Sequence, residues 1–272
     1  MQGQFLKPFL ADVKKFVLDT LFPITCIHCE TEGNFVCANC KSAWTGVGFQ
    51  KCIICRKPSP LGFTHPGCKS PHAPEGLVSF FDYHDKKVSR TIIAGKYHFL
   101  PGVFTELGLM AGEKIFAREY KTIFEIPPMP PSDTSLPTSS FSLVPIPLAK
   151  SRQRWRGFNQ SEILCKALSD SLGLPVAQVL TRKKSTKTQK DLKREQRIEN
   201  VAGAFAVSPS PFEERAGVRL QSQILNLKSK ISNQSFILVD DVTTTGSTLL
   251  EAAKVLKRNG AGKVWCLTVA QD

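Results

Sequence analysis

Between Phe236 and Val239 four apolar residues follow one another without a polar interruption, the pattern of a strand buried on both faces of a parallel sheet. Past Gly246 the pattern changes. Leu249, Leu250, Ala252, Ala253, Val255 and Leu256 recur at helical spacing until Gly260 supplies a stop. The turn between them, Asp240, Asp241, Val242, Thr243, Thr244, Thr245, Gly246, Ser247 and Thr248, is thereby predicted at the carboxyl end of a strand and the amino end of a helix. Upstream, Gly76 to Tyr83 predicts a strand. The residues after it predict a helix with Val88, Ile92 and Ile93 inside and Lys96 at its end, where a lysine is ordinarily a solvated charge. Phe104 to Tyr120 predicts a further helix. Leu143 to Leu148 reads as a strand that Pro145 and Pro147 confine to an edge or a strand end. A helix then starts near Asn159, with Ile163, Leu164, Ala167, Leu168 and Leu172 on one stripe. Cys165 and Cys266 fall inside a helical and a strand pattern as buried apolar residues. Strand and helix signals alternating from residue 143 onward predict an α/β fold with a mostly parallel sheet and helices on both faces.

Residues 1–24 carry Phe5, Leu6, Phe9, Leu10, Val13, Phe16, Val17 and Leu21 on one helical stripe, which predicts a docking helix or, alternatively, one lying on a membrane surface. That stretch is too charged for a signal-peptide core, and no apolar run reaches the roughly 18 to 20 residues that cross a bilayer, so a cytoplasmic location is expected. Residues 126–140 hold five prolines and six Ser/Thr, which predicts an irregular loop. Residues 207–234 read as an insertion with a short helical segment of its own. The 272 residues are 42% apolar, enough for an ordinary core, and carry a formal net charge of +13. Thirteen Lys/Arg against five Asp/Glu lie between residues 145 and 200, a concentration that favours an anionic ligand, polyphosphate or nucleic acid. Residues 181–200 have almost no apolar face, and predict a basic loop able to order over an anion.

Seven of the nine cysteines fall between residues 26 and 68. Cys26, Cys29, Cys37 and Cys40 form two C-x2-C knuckles, and each knuckle can present two thiolates to one tetrahedral zinc. Cys52, Cys55, His65 and Cys68 repeat the arrangement with a histidine, so one or two structural zinc ions are expected in a 25–72 double ribbon that precedes an α/β domain over 76–272. Pairing in sequence order, crossed pairing, a disulfide framework, and a His65 that is merely a surface residue all remain open here.

The acidic turn carries the candidate chemistry. A helix N-terminus exposes unpaired N–H groups and a positive dipole end, so Thr243 to Thr248 can wrap a phosphate. Two carboxylates beside that cradle would repel a phosphate unless they had another partner. The vicinal hydroxyls of a ribose, with a divalent cation nearby, supply one. A plain aspartate N-cap is the alternative, but a cap needs neither two aspartates nor four threonines. Arg152, Arg154 and Arg156 are predicted in a loop ending at Gly157, where guanidinium groups can grip phosphate oxygens in pairs.

The run from Phe236 to Thr248 resembles the signature of type I phosphoribosyltransferases. That resemblance implies that Asp240 and Asp241 hold the ribose hydroxyls of phosphoribosyl pyrophosphate (PRPP) and that Thr243 to Thr248 hold its 5-phosphate. Together with VPIPLAKSRQRWRGFNQ, above all Arg156 to Gln160, and the paired cysteine ribbons, the chain resembles the ComF family of competence-associated, phosphoribosyltransferase-like proteins. His65 stands where a fourth cysteine would be equally suitable. The resemblance implies a type I phosphoribosyltransferase fold and a Mg-PRPP ligand. Asp240, Asp241, Arg156 and Lys96 become the candidate catalytic residues, and Val242 to Thr248 with Arg152 and Arg156 the candidate binding residues. It also implies an association with DNA uptake and a partner such as an uptake helicase or channel component. Two functions are expected on this basis: phosphoribosyl transfer to an unidentified acceptor, or single-stranded DNA binding through the basic 145–200 face with Trp155 and Phe158.

Overall fold

In the computed structural model, residues 23–117, 120–126, 140–183, 201–207 and 231–272 are described. Residues 1–22 of the predicted N-terminal helix, 127–139 of the proline-rich loop, 184–200 of the basic loop and 208–230 of the insertion lie outside them. The strands are β1 (Gly76–Asp82), β2 (Phe141–Pro145), β3 (Leu180–Arg182), β4 (Phe205–Val207), β5 (Ser235–Thr243) and β6 (Val264–Gln271). The α-helices are α1 (Ala38–Ser42), α2 (Lys86–Tyr97), α3 (Pro101–Phe116), α4 (Tyr120–Ile123), α5 (Lys150–Arg156), α6 (Gln160–Leu172) and α7 (Ser247–Arg258).

Four strands form one sheet in the order β1-β6-β5-β2, with every neighbouring pair parallel. The unbroken apolar run puts Ile237, Leu238 and Val239 at the sheet's centre, fully buried, with Leu238 opposite Val144 on one side and Cys266 on the other. β2 is the outer strand beside β5, and its prolines fall at its last residue and two positions beyond, where a missing N–H costs no ladder bond. β3 and β4 make a separate antiparallel pair.

Successive residues of β5 point to opposite faces. Phe236 and Leu238 share a core cluster with Leu249, Ala252, Ala253 and Leu256 of α7. Ile237 and Val239 face the other way, under α6, against which α3 packs. α3 comes close because Gly108 and Gly112 leave room: a Cβ at either would collide with Ala167 or Ser171. α6 begins on Asn159, whose side chain accepts the Ser161 N–H at 3.1 Å, and stops at Gly173 in the left-handed region.

Two expectations change. Lys150–Arg156 is a two-turn helix closed by Gly157 at φ 81°, and its arginines are not in a loop. Ile93, predicted inside, is 42% exposed, because its neighbour Ile92 takes the core position. The chain divides into two compact units, Met1–Trp44 and Thr45–Asp272, so the second cysteine cluster belongs to the same unit as the sheet.

Candidate functional site

β5 delivers the acidic turn to the sheet's carboxyl edge, and α7 starts immediately after it. Gly246 occupies the N-cap position at φ 77° and offers no side-chain cap, so the first N–H groups of α7 keep no capping partner from that residue. Around them lies a small hollow lined by Asp240 and by Val242 to Leu249. Its hydroxyls are locally ordered: Thr245 Oγ1 donates to Ser247 Oγ at 3.1 Å. The Thr243 hydroxyl is buried without a hydrogen-bond partner. All seven residues from Val242 to Thr248 that the motif singles out therefore border one concavity with a positive dipole end.

The two carboxylates differ in setting. Asp241, 3% exposed, is ion-paired with Lys96 at the last turn of α2. Lys96 is thus no solvated helix-end charge. Burial alone would lower its pKa, but Asp241 and then Asp240 outweigh that and raise it. Asp240 accepts Ser161 Oγ–H at 3.0 Å and the Asp241 N–H at 2.9 Å. Burial, and then the Asp241 charge, push its pKa up to about 7 against the pull of Lys96. The bonds to Asp240 fall on Oδ1 and the Lys96 pair on Asp241 Oδ2, and two carboxylates are too few for the six oxygen ligands of an all-protein magnesium cage. The residues do not fit a protein-held magnesium.

A larger cavity of about 560 Å³ adjoins the hollow and shares Asp240, Val242, Thr244 and Thr248 with it. Lys96, Arg152, Arg156 and Arg182 line it, against Asp240, Asp241 and Asp272. One lysine is already matched to an aspartate and Asp240 holds its proton near neutrality, so the cavity's remaining charge is positive. The helical spacing explains which arginines take part. Arg152 and Arg156 are four residues apart and share the cavity side of α5, while Arg154 falls on the exposed side. Arg156 is 8% exposed, donates to Gln160 Oε1 at 2.6 Å, and keeps its Nε buried without a hydrogen-bond partner. Ile93, Tyr97 and Trp155 also border the cavity, and Trp155 packs on Tyr97 and Phe99 with centroids 5.8 and 5.1 Å apart.

The cysteines gather in sequence order. Cys26, Cys29, Cys37 and Cys40 form one group, and Cys52, Cys55, His65 and Cys68 the other, each with ligand atoms within 4.8 Å of one another. Tetrahedral zinc with bonds of about 2.3 Å sets its sulfurs about 3.8 Å apart, so both groups fit it. The knuckles are built alike. Glu30 and Arg56 sit in the left-handed region, and their N–H groups donate to the Cys26 and Cys52 carbonyls at 2.9 Å. His65 Nε2 donates to the Pro58 carbonyl at 3.1 Å, which leaves Nδ1 facing Cys55 as an imidazole ligand. Without a cation the four thiols do not all ionise together: Cys40 is pushed up to about 12, by burial first and then by its three neighbours, while at Cys26 burial is outweighed by backbone N–H groups, which lower it to about 6.

The fold brings Lys96, Arg152, Arg156, Asp240, Asp241 and the threonine turn to one place. It adds Gln160 and also Tyr83, Ser161 and Asp272, the last three of which no local pattern marks. Gln160 stands in the RGFNQ block, the one signal that could have placed it.

Residues 159–272 match the phosphoribosyl transferase domain family. The chain is 37% identical over 128 residues to DNA utilization protein YhgH of Salmonella typhimurium, 46% of this chain and 48% of the relative. It is 34% identical over 132 residues to competence protein F of Haemophilus influenzae, covering 47% and 50%. It is 31% identical over 124 residues to competence protein ComFC of Bacillus subtilis, covering 46% and 41%. The chain spans about half the length of the curated relatives it matches.

Proposed function

For a chain that carries a phosphoribosyl transferase domain and is homologous to competence protein F and ComFC, we propose a phosphoribosyl ligand, PRPP in its fullest form, and transfer of its phosphoribosyl group. The observation that carries this is the continuity of the helix start at Gly246, the aspartate pair and the buried Arg156 around one positive cavity. The 5-phosphate lies on Thr243 to Thr248, the ribose on Asp240 and Asp241, and the diphosphate on Arg152 and Arg156. Magnesium belongs to the ligand's diphosphate.

In transfer, the bond from the anomeric carbon to the diphosphate oxygen breaks with its electron pair leaving on diphosphate, and the acceptor's lone pair forms the new bond. Asp241, joined by Asp240 once its proton has left, favours the positive charge that develops on the sugar, and the arginines favour the departing anion. The acceptor's proton passes to solvent. Titration calorimetry with Mg-PRPP tests the reading. Wild type should bind, and Arg156→Ala should weaken binding about tenfold or more, since a charge-assisted hydrogen bond contributes about 1.5–3 kcal/mol. Asp241→Asn should abolish binding, because it also strands the Lys96 charge. No heat with wild type sinks the proposal.

A second reading rests on Trp155, 53% exposed beside Tyr97 and Phe99 at the rim of the same basic cavity. Such a platform can stack bases of a single strand whose phosphates meet Arg152 and the basic segment. Affinity for a single-stranded oligonucleotide should then fall steeply with salt and drop on Trp155→Ala; a flat salt slope ends this reading.

A further inference from the structure

The second cysteine cluster is more than a neighbour of the cavity in this unit. Ile53, between Cys52 and Cys55, is fully buried in the core cluster that also holds Leu238 of β5 and Leu249 and Ala252 of α7. It lies directly against the loop glycine: a Cβ on Gly246 would stand 3.0 Å from Ile53 Cγ1 and 3.4 Å from its carbonyl oxygen. From the same knuckle, Arg56 Nη2 donates to the Asp272 carbonyl at 2.6 Å, and Lys51 Nζ reaches that oxygen at 3.2 Å. The Asp272 N–H in turn donates to the Thr243 carbonyl at 2.9 Å. The knuckle therefore touches the phosphate loop at its glycine and is tied through one residue to the loop's first threonine. The rest of this ribbon is fastened to the sheet: Gln50 Nε2 donates to the Ser79 carbonyl at 2.7 Å, and its Oε1 accepts the Ser79 N–H at 3.0 Å. Phe63 packs edge-on against Trp265, with centroids 4.9 Å apart.

We propose that the second cysteine cluster is part of the ligand site: Ile53 is a positioning residue that sets the backbone of Gly246 to Thr248, and the ion held by Cys52, Cys55, His65 and Cys68 keeps Ile53 in place. The knuckle is a single turn, closed by the bond from the Arg56 N–H to the Cys52 carbonyl, and a turn that short needs its metal to hold a shape. A loop that binds phosphate through backbone N–H groups tolerates little displacement, since errors on the order of 1 Å cost about 100-fold where geometry decides. Anion affinity in this protein is consequently coupled to the occupancy of a metal site that never touches the ligand. The first cluster belongs to the other compact unit, Met1–Trp44.

This inference rests on the phosphoribosyl reading for its affinity readout, and the test keeps the two apart. Full-length Cys55→Ser, Ile53→Ala, Ile53→Val and Cys29→Ser are compared with wild type by zinc content, by calorimetry with ribose 5-phosphate and PRPP, and by hydrogen exchange of residues 243–249. Cys55→Ser should lose one zinc, about tenfold or more in affinity, and exchange protection across the loop. Ile53→Ala should keep both zinc ions and still lose about tenfold. Cys29→Ser should lose one zinc and leave affinity within about twofold. If Cys55→Ser does not fold, Ile53→Val decides, with a loss of about threefold expected. Unchanged affinity and unchanged loop exchange in both Ile53 variants overturn the proposal. Should wild type bind neither probe, the phosphoribosyl reading falls, and the exchange of 243–249 alone decides this one.

Discussion

Asp240 keeps its proton to about pH 7 in the folded chain, whereas an unfolded aspartate releases it near 3.8. Between those values the native state binds the extra proton, so the stability this residue supplies is complete below about pH 4 and is lost as pH rises through about 7. Asp240→Asn, neutral throughout, should melt higher than wild type at pH 8 by about 2 °C or more, and the gap should close at pH 4. An equal gap at both pH values would show that the carboxyl is not strained. At this scale the sequence was informative where chemistry is contiguous. Two aspartates, four threonines and a glycine in nine residues single out the turn that lines the hollow at the start of α7. Ser161 under Asp240 is one polar residue at a helix start, and only the approach of α6 to β5 gives it a partner, whereas Gln160 meets Arg156 four residues back, across the turn at Gly157.

At the level of elements, α5 shows why periodicity fails on short basic helices. Its one buried residue is Arg156, so there is no apolar stripe to detect, and Gly157 reads equally well as a loop end or a helix stop. Ile93 misled for the opposite reason: an isoleucine beside a core isoleucine looks buried, but its side of α2 faces the cavity. The turn into α7 carries a sharper prediction. Gly246→Ala places a Cβ at positive φ and 3.0 Å from Ile53, so unfolding in denaturant should show a loss of about 1–3 kcal/mol, with phosphoribosyl affinity reduced alongside it. Gly48→Ala, where a Cβ meets nothing within 4 Å, is the control.

For the molecule as a whole, the alternation of elements was enough to expect a parallel α/β sheet, because strands buried on both faces cannot alternate and must be connected by helices. Strand order was not legible, since it is settled by long-range pairing that leaves no local mark. The cysteine knuckles were legible, because a four-residue knuckle constrains its own turn, but their grouping in sequence order was not, since crossed pairing uses the same residues and only the fold decides between them. Metal analysis should find two zinc ions per chain, with Cys29→Ser and Cys55→Ser each retaining one. Stripping both with a strong chelator should destabilise the chain, since each site's binding is worth on the order of 10 kcal/mol.

The order β1-β6-β5-β2 has a consequence for how the chain is made. The strands synthesised first are the outer ones, and within this sheet β1 pairs with β6 and β2 with β5. Neither can complete its sheet pairing until residues 235–271 have left the ribosome, so a nascent chain of some 230 residues carries two apolar strands without their sheet neighbours, held by short bridges such as Gly46 to Phe81 and Leu143 to Val176. Arrested nascent chains ending before β5 should remain sensitive to protease and bound by chaperones, and should become resistant only once β6 has emerged.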